Sequence, residues 1–314
     1  MKKTKIMLLL IFGIVVGATC YWNWQTLHHV AIISQPTVST AVISTEYGKT
    51  EKPKATSNGW INILVLGTDN RGNEVSRTDS MMLVSANVDM KQVSIISIPR
   101  DTRVKIPGVG LTKINHANAV GEVKGGVHEG TLESAEAVSN LLGVTINYYV
   151  KLNFQGFQKA VDALGGIDIN LPNSVSDDLQ NIHLSAGETH LSGDEALRLA
   201  RARYGLPNGD FDRQQDQFYL LSALAHQMLK LSNISNLPED LNIVQQDLID
   251  TNLSTPEMVT MGLVFKGIAK ETIKYFQLPG QGISAHDPLV GANVYYYEPD
   301  MEGIRKVVRE AMES

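Results

Sequence analysis

VSIISIPRDTRVKIPG, residues 93–108, is the stretch that decides the fold of this 314-residue chain. Its first six residues are mostly β-branched, a composition that is typical of a buried strand rather than a helix. Pro99 cannot donate a hydrogen bond to a neighbouring strand, so the strand is expected to end there. Arg100 and Asp101 follow at once. Charged groups at the carboxyl end of a buried strand lie where open α/β sheets bind ligands, although a solvated turn is the alternative.

Two aspartates are expected near the same end of the sheet. Residues 61–66, INILVL, form an apolar run of strand length that is followed by Asp69, and a second such run is preceded by Asp79. A tight connection predicts that the second run forms a hairpin with the strand before Pro99, which brings both aspartates towards Arg100. Paired carboxylates suit a hard divalent cation, so we expect Mg²⁺, or alternatively Mn²⁺; aspartates that only form turns are the other interpretation.

Helical and extended patterns alternate along the middle of the chain. Apolar residues recur at helical spacing over 132–142 and 154–164, and strands are expected over 146–152 and 167–171. This alternation predicts an α/β fold in which a central mixed β-sheet is covered by helices on both faces, an α-β-α sandwich.

Other segments give weaker signals. Glycines punctuate residues 113–130, which predicts a Gly-rich loop with His116 as one of its polar residues. Towards the C-terminus a strand is expected over 272–278.

Arginines cluster around the junction of two predicted helices. A capping box over 192–195 starts the first helix, which ends near Arg201 and Arg203. Because residues two apart on a helix point away from each other, this helix must end between the two arginines if both bind one ligand. A second helix is expected to begin near Asp212, with Arg213 and Gln217 on one face. An arginine at a helix N-terminus predicts an anion site.

The N-terminus has the pattern of a membrane anchor. Three lysines precede an uncharged run over 6–24 that is long enough to span a bilayer, and such lysines favour a cytoplasmic N-terminus. A cleaved signal peptide and a lipoprotein signal ending at Cys20 are the alternatives, but GATC matches both poorly. We therefore expect a single-pass protein of the cell membrane with a cytoplasmic tail over 1–5, a transmembrane helix over 6–24, an extracellular stalk over 25–59 and an extracellular domain over 60–314.

Composition excludes several classes of protein. Cys20 is the only cysteine, so neither an intramolecular disulfide nor thiolate catalysis in the domain is expected. The formal net charge of −6 disfavours nucleic acid as a partner.

Several motifs together resemble the LytR-CpsA-Psr family of Gram-positive cell envelopes. They occur in the family's order and are LGTDNR (66–71), RTDS (77–80), SIPRDTRVKIPG (97–108), KIN (113–115), VDALGG (161–166), LSGDEAL (191–197), RARY (201–204) and GDFDRQQDQ (209–217). The resemblance implies a phosphotransferase that moves an anionic glycopolymer, such as teichoic acid or capsule, from a polyprenyl-pyrophosphate carrier in the membrane to peptidoglycan. A hydrolase of the same lipid and a non-catalytic regulator or transcription attenuator are the rival functions.

The resemblance also assigns roles by position. It implies that Asp69 and Asp79 associate with Mg²⁺ and that Asp101 acts as a base or positions the metal, with Arg100 also in the catalytic set. The family often has an arginine where this chain has Asp216, which is close enough to Arg213 to pair with it. The implied pyrophosphate-binding set is Arg77, Arg100, Arg201, Arg203, Arg213 and Gln217.

Overall fold

A six-stranded mixed β-sheet forms the centre of the protein. The structure is a computed structural model that describes residues 59–69, 75–87, 90–228, 248–254, 257–258 and 273–312, and its elements are numbered in chain order over these residues. The strands lie in the spatial order β11 (Leu248–Thr251), β6 (Tyr148–Asn153), β1 (Trp60–Thr68), β2 (Thr78–Asn87), β3 (Gln92–Ser97) and β12 (Ile273–Gln277).

Strand directions confirm the predicted mixed sheet and the predicted hairpin. β2 is antiparallel to both β1 and β3, whereas β6 runs parallel to β1 and β12 runs parallel to β3. The remaining strands form two-stranded sheets: β4 (Arg103–Ile106) with β5 (Gly110–Lys113), β7 (Ile167–Leu171) with β10 (Gly187–Leu191), β8 (Val175–Asp177) with β9 (Ile182–Leu184), and β13 (Gly280–Asp287) with β14 (Ala292–Pro299).

The described helices pack in two separate clusters of buried side chains, with three helices in each. On one face of the central sheet, Leu64 and Ile96 pack in a core with three helices: α1 (His116–Gly125), α2 (Val127–Leu142) and α6 (Met301–Met312). The second cluster joins β7 to the other three: α3 (Phe154–Ala163), α4 (Gly193–Arg201) and α5 (Asp210–Met228). The predicted capping box is present, because Ser192 and Glu195 exchange hydrogen bonds at the start of α4.

The predicted Gly-rich loop over 113–130 is wrong, since most of it forms α1 and the start of α2. Its glycines permit close helix packing rather than a loop: a Cβ on Gly121 would lie 2.4 Å from the carbonyl oxygen of Glu129. His116 is likewise not an exposed loop residue but the buried first residue of α1. Its Nδ1 lies 2.7 Å from the Thr112 hydroxyl, which donates to the buried carboxylate of Asp287 at 2.8 Å.

The predicted anchor over 6–24 and nearly all of the predicted stalk lie outside the described residues. Among the residues that are described, no helix is both long and apolar enough to cross a membrane.

Candidate active site

The ends of β1 and β2 bring Asp69 and Asp79 to the same edge of the sheet. Thr68 pairs with Thr78 in the register of these antiparallel strands, and each aspartate directly follows one of the two threonines. The predicted convergence of the two carboxylates therefore agrees with the register of the strands.

Asp79 links two arginines that are far apart in the sequence. Its carboxylate accepts a hydrogen bond from Nη1 of Arg100 at 2.5 Å, and its backbone carbonyl accepts one from Nη2 of Arg213 at 3.3 Å. Arg100 extends from the turn after β3, as predicted, and Arg213 lies in the first turn of α5. The sheet end and the helix N-terminus thus meet at one aspartate.

Both arginines retain unused donors at this junction. Among the described residues, the buried Nε atoms of Arg100 and Arg213 have no hydrogen-bond partner. Buried polar groups in folded proteins are nearly always paired, so unpartnered donors on two guanidinium groups that both bind Asp79 indicate a place for an anion.

The surroundings shift the pKa values of the two arginines in opposite directions. Burial lowers the pKa of Arg213, with Arg100 and Arg203 adding to this effect and Asp210 opposing it. Burial acts in the same direction on Arg100, but Asp79, followed by other carboxylates, raises its pKa above the usual value. An anion bound between the two guanidinium groups would relieve their mutual repulsion.

Asp210 is a site residue that the sequence reasoning missed. Its carboxylate lies 2.6 Å from Nη2 of Arg213, as an ion pair three residues apart on α5, and 4.0 Å from Nε of Arg100. It lies inside GDFDRQQDQ, and the three-residue spacing to Arg213 is the signal that could have identified it.

A cavity of about 260 Å³ opens beside this cluster. Asp101 and Arg203 extend into its wall together with Asp210, which places two predicted site residues next to the missed one. Lys113, from the KIN motif, binds the Asp101 carboxylate at 2.6 Å. The cavity is lined by Pro99, Asp101, Arg203, Asn208, Asp210, Phe211, Gln214, Tyr295 and Tyr297.

The helix carrying Arg201 ends at that residue, so the predicted break before Arg203 is confirmed. Asp177 fixes the following segment by accepting hydrogen bonds from the backbone N–H groups of Arg203 and Tyr204 at 2.7 and 2.8 Å. The guanidinium of Arg201 lies 4.9 Å from the centre of the Phe154 ring. Arg201 and Arg203 therefore leave the end of α4 in different directions.

Arg77 and Gln217 differ in their surroundings. Arg77 is exposed. The pKa of His116 is lowered mainly by the burial of its own ring and, next, by the positive charge of Arg77. Gln217 donates to the backbone carbonyl of Ala200 at 2.9 Å, so its amide joins α5 to the end of α4. In this structure the Gln217 side chain therefore connects the two helices that carry Arg201 and Arg213.

Asp216 is close enough to Arg213 in sequence to pair with it, but in the structure Arg213 pairs with Asp210 instead. Asp216 is buried, and its Oδ2 has no hydrogen-bond partner among the described residues. Burial, with a contribution from Asp212, raises its pKa to about 7. Position three on either side of Arg213 was equally compatible with helical spacing, and only the fold selects between them.

The residues at the strand ends have the chemistry of a magnesium site. The described part of the chain has no group of three or more His, Cys, Asp or Glu side chains that could hold a metal. Mg²⁺ is commonly held by only one or two carboxylates together with water and substrate phosphates. Asp69 and Asp79 at adjacent strand ends therefore fit the ion as a donor pair that a phosphate ligand would complete.

Comparison with known proteins agrees with this architecture. The chain is 37% identical over 252 residues to the polyisoprenyl-teichoic acid–peptidoglycan teichoic acid transferase TagU of Bacillus cereus, covering 80% of this chain and 78% of TagU. The TagU of Bacillus subtilis is 30% identical over 322 residues, covering 100% and 97%. The crystal structure of B. subtilis TagV superposes with a TM-score of 0.67 at 31% identity, covering 82% of this chain and 98% of TagV. The LytR_cpsA_psr family profile matches residues 30–313, and this chain therefore belongs to that family.

Proposed function

We propose that this protein transfers an anionic glycopolymer from a polyprenyl-pyrophosphate carrier to peptidoglycan. The observation that carries the proposal is the pair formed by the partly buried Arg100 and the buried Arg213. They meet at Asp79, and their Nε donors have no hydrogen-bond partner among the described residues. Planar guanidinium groups match the oxygens of a pyrophosphate, and the similar TagU proteins are named as transferases of polyisoprenyl-linked teichoic acid to peptidoglycan.

The reaction needs charge stabilisation more than covalent help from the protein. An acceptor hydroxyl forms a new bond to the phosphorus that bears the glycan, the P–O–P bond breaks, and polyprenyl phosphate leaves with the electron pair. Arg100 and Arg213, with Arg203 beside them, stabilise the negative charge that spreads over the phosphoryl oxygens, and Arg77 and Arg201 are proposed to bind the pyrophosphate as well. The hydroxyl proton passes to Asp101, whose carboxylate lines the cavity.

Asp69 and Asp79 are the residues that would hold Mg²⁺, with Mn²⁺ as a substitute. When bound, this ion neutralises charge on the pyrophosphate oxygens. Asp79 also receives Arg100, so its carboxylate fixes the guanidinium donor with respect to the ion-binding edge of the sheet.

The same proposal includes the membrane location. A transmembrane helix over 6–24 and a stalk over 25–59 would hold the domain of residues 60–314 outside the cell, beside the isoprenoid lipid. We also propose that helices cover both faces of the central sheet, as an α-β-α sandwich. Met82 and Ile95, which are buried on the face opposite Leu64 and Ile96, support this arrangement.

The test is transfer from a short-chain lipid-pyrophosphate glycan to a peptidoglycan fragment by the purified full chain. We expect a glycan–peptidoglycan product that disappears with EDTA and returns with Mg²⁺ or Mn²⁺. Release of free glycan phosphate with no acceptor product would indicate a hydrolase. Absence of any turnover of the lipid would favour a regulator, and full transfer in EDTA would reject the metal role.

A further inference from the structure

Tyr295 is an exposed aromatic ring in the wall of a charged cavity. It lies on β14 and is 54% exposed, while the next two residues of the strand, Tyr296 and Tyr297, are buried. Single exposed apolar side chains are common on protein surfaces. This ring differs because it lines the same cavity as Asp101, Arg203 and Asp210.

The hairpin of β13 and β14 positions the Tyr295 ring over a glycine of the neighbouring strand. Tyr295 pairs with Ser284 across the hairpin, yet a Cβ added at Gly282 would lie 2.9 Å from Cε2 of Tyr295. The ring therefore leans diagonally over the Gly282 backbone, an arrangement in which an aromatic side chain covers a strand glycine. One side of the ring packs on the Gly282 backbone, so the exposed surface of Tyr295 lies on the other parts of the side chain.

The hairpin of β13 and β14 is hydrogen-bonded to the turn that carries Arg100 and Asp101. The backbone N–H of Tyr297 donates to the carbonyl oxygen of Asp101 at 2.9 Å, and Thr102 forms a parallel bridge with Tyr297. The Phe211 ring packs edge-on against Tyr297 at 5.4 Å between ring centres. These contacts fix the position of Tyr295 relative to Arg100 and Asp101.

The cavity beside the anion cluster offers the groups that bind a sugar. The carboxylate of Asp210 accepts hydrogen bonds from hydroxyl groups. Asn208 and Arg203 add planar donors, and Tyr295 and Tyr297 add aromatic surface. The volume of about 260 Å³ lies just below the roughly 300–1,000 Å³ of pockets for drug-sized ligands, which suits one sugar ring.

We propose that Tyr295 is a stacking platform for the first sugar of the donor, the one joined directly to the pyrophosphate, with Asn208 and Asp210 binding its hydroxyls. This inference rests on the proposed donor class. Asp210 connects the two sites, because it lines the cavity and also lies 2.6 Å from Arg213 of the anion cluster. A ligand group in the cavity is therefore next to the bound pyrophosphate, as the first donor sugar must be.

The experiment compares two ligands on the full chain by calorimetry: a short-chain polyprenyl pyrophosphate that carries a disaccharide, and the same lipid pyrophosphate without sugar. We expect Tyr295→Ala to weaken binding of the sugar-bearing ligand about tenfold, the scale of an aromatic contact, and to leave the sugarless ligand unchanged. Tyr295→Phe should retain binding, since it keeps the ring. Gly282→Ala, which displaces the ring, should reproduce part of the loss. Leu289→Ala is the matched control, because this exposed apolar side chain lies in the turn of the same hairpin.

The outcomes separate the two proposals. Equal losses for both ligands, or no loss for either, would overturn the sugar platform while leaving the donor class intact. If Tyr295→Ala changes only the KM for the peptidoglycan fragment in the transfer assay, the ring belongs to the acceptor site. This result would also overturn the sugar platform. If the parent chain binds neither ligand, the proposed function itself fails.

Discussion

At the scale of single residues, Asp79 organises the candidate site through two different groups. Its side chain fixes Arg100, while its backbone carbonyl receives Arg213, so two guanidinium groups are held together without using all their donors. Keeping two like charges close together in a partly buried site is unfavourable until an anion arrives. The site is therefore prepared for a ligand of high negative charge.

Arg213→Ala should lower kcat/KM for the lipid-pyrophosphate donor about a hundredfold or more, corresponding to about 3 kcal/mol of transition-state stabilisation. The reason is its burial at the junction with Asp79, where water cannot replace the missing donor. Arg198→Ala is the matched control: its side chain is 36% exposed and pairs with Asp194 on α4. The control should stay within about twofold of the parent. Equal activity of the two variants would remove Arg213 from the site.

Asp216→Asn should change the pH dependence of stability rather than activity. The pKa of Asp216 is raised from 3.8 to about 7 by burial, so the folded state holds a proton that the unfolded state releases. Stability is then fully present below pH 4 and is lost as the pH rises to about 7, by up to about 4 kcal/mol. The asparagine variant should escape that loss and be more stable than the parent at pH 8.

Urea unfolding at pH 4.5 and pH 8 measures this difference, with the exposed Glu188→Gln as control. Transfer activity of Asp216→Asn should remain within about tenfold of the parent. A variant as inactive as Arg213→Ala would instead make Asp216 part of the catalytic machinery.

At the scale of elements, a buried ion pair ties β6 to α1 and to the entry of β2. The ammonium of Lys151 is fully buried and binds Glu122 at 2.8 Å and the Asn118 side chain at 2.7 Å. Glu122 in turn accepts a hydrogen bond from the backbone N–H of Ser76 at 2.8 Å. Because Ser76 directly precedes Arg77, this network holds the segment that leads into Asp79.

Lys151→Met should destabilise the fold by about 3–5 kcal/mol, since it leaves the Glu122 carboxylate buried without its cation. Adding Glu122→Gln should recover part of that loss, because the amide is neutral and still accepts from Ser76. Lys124→Met is the matched control: it removes a lysine paired with Glu133 at the surface and should cost less than about 1 kcal/mol. Chemical unfolding measures all three variants, and a free energy of unfolding for Lys151→Met within 1 kcal/mol of the parent value would contradict this role.

Local patterns predicted the elements whose stability is local. The apolar run of β1, the β-branched run of β3, the capping box of α4 and the end of that helix at Arg201 all follow from short-range chemistry. Helix α1 was missed because its glycines serve a contact with α2, which no local pattern reveals. For the same reason Tyr295 was not predicted, because it joins the cavity through residues distant in sequence such as Asp101 and Arg203. Asp210 was missed although its spacing to Arg213 is local, because Asp216 has the same spacing and only the fold selects between them.

At the scale of the whole molecule, the site gathers arginines in a chain of negative net charge. The chain has 27 lysines and arginines against 33 aspartates and glutamates, a formal net charge of −6 that disfavours non-specific binding of an anionic polymer. Arg100 and Arg213 at Asp79 provide a specific place of attraction. A polymer with many negative charges would therefore be held at its pyrophosphate end and kept off the rest of the domain.

The proposed reaction requires the domain to lie on the outer side of the membrane, where peptidoglycan is found. Lys2, Lys3 and Lys5 precede the uncharged run over 6–24, and positive charges before such a run favour a cytoplasmic N-terminus. We therefore predict that protease added to intact, wall-stripped cells digests the domain over 60–314. A cytoplasmic protein in the same cells is the control and should survive until lysis. Digestion of the domain only after lysis would place the arginine cluster on the wrong side of the membrane for peptidoglycan, and the proposed acceptor would have to be abandoned.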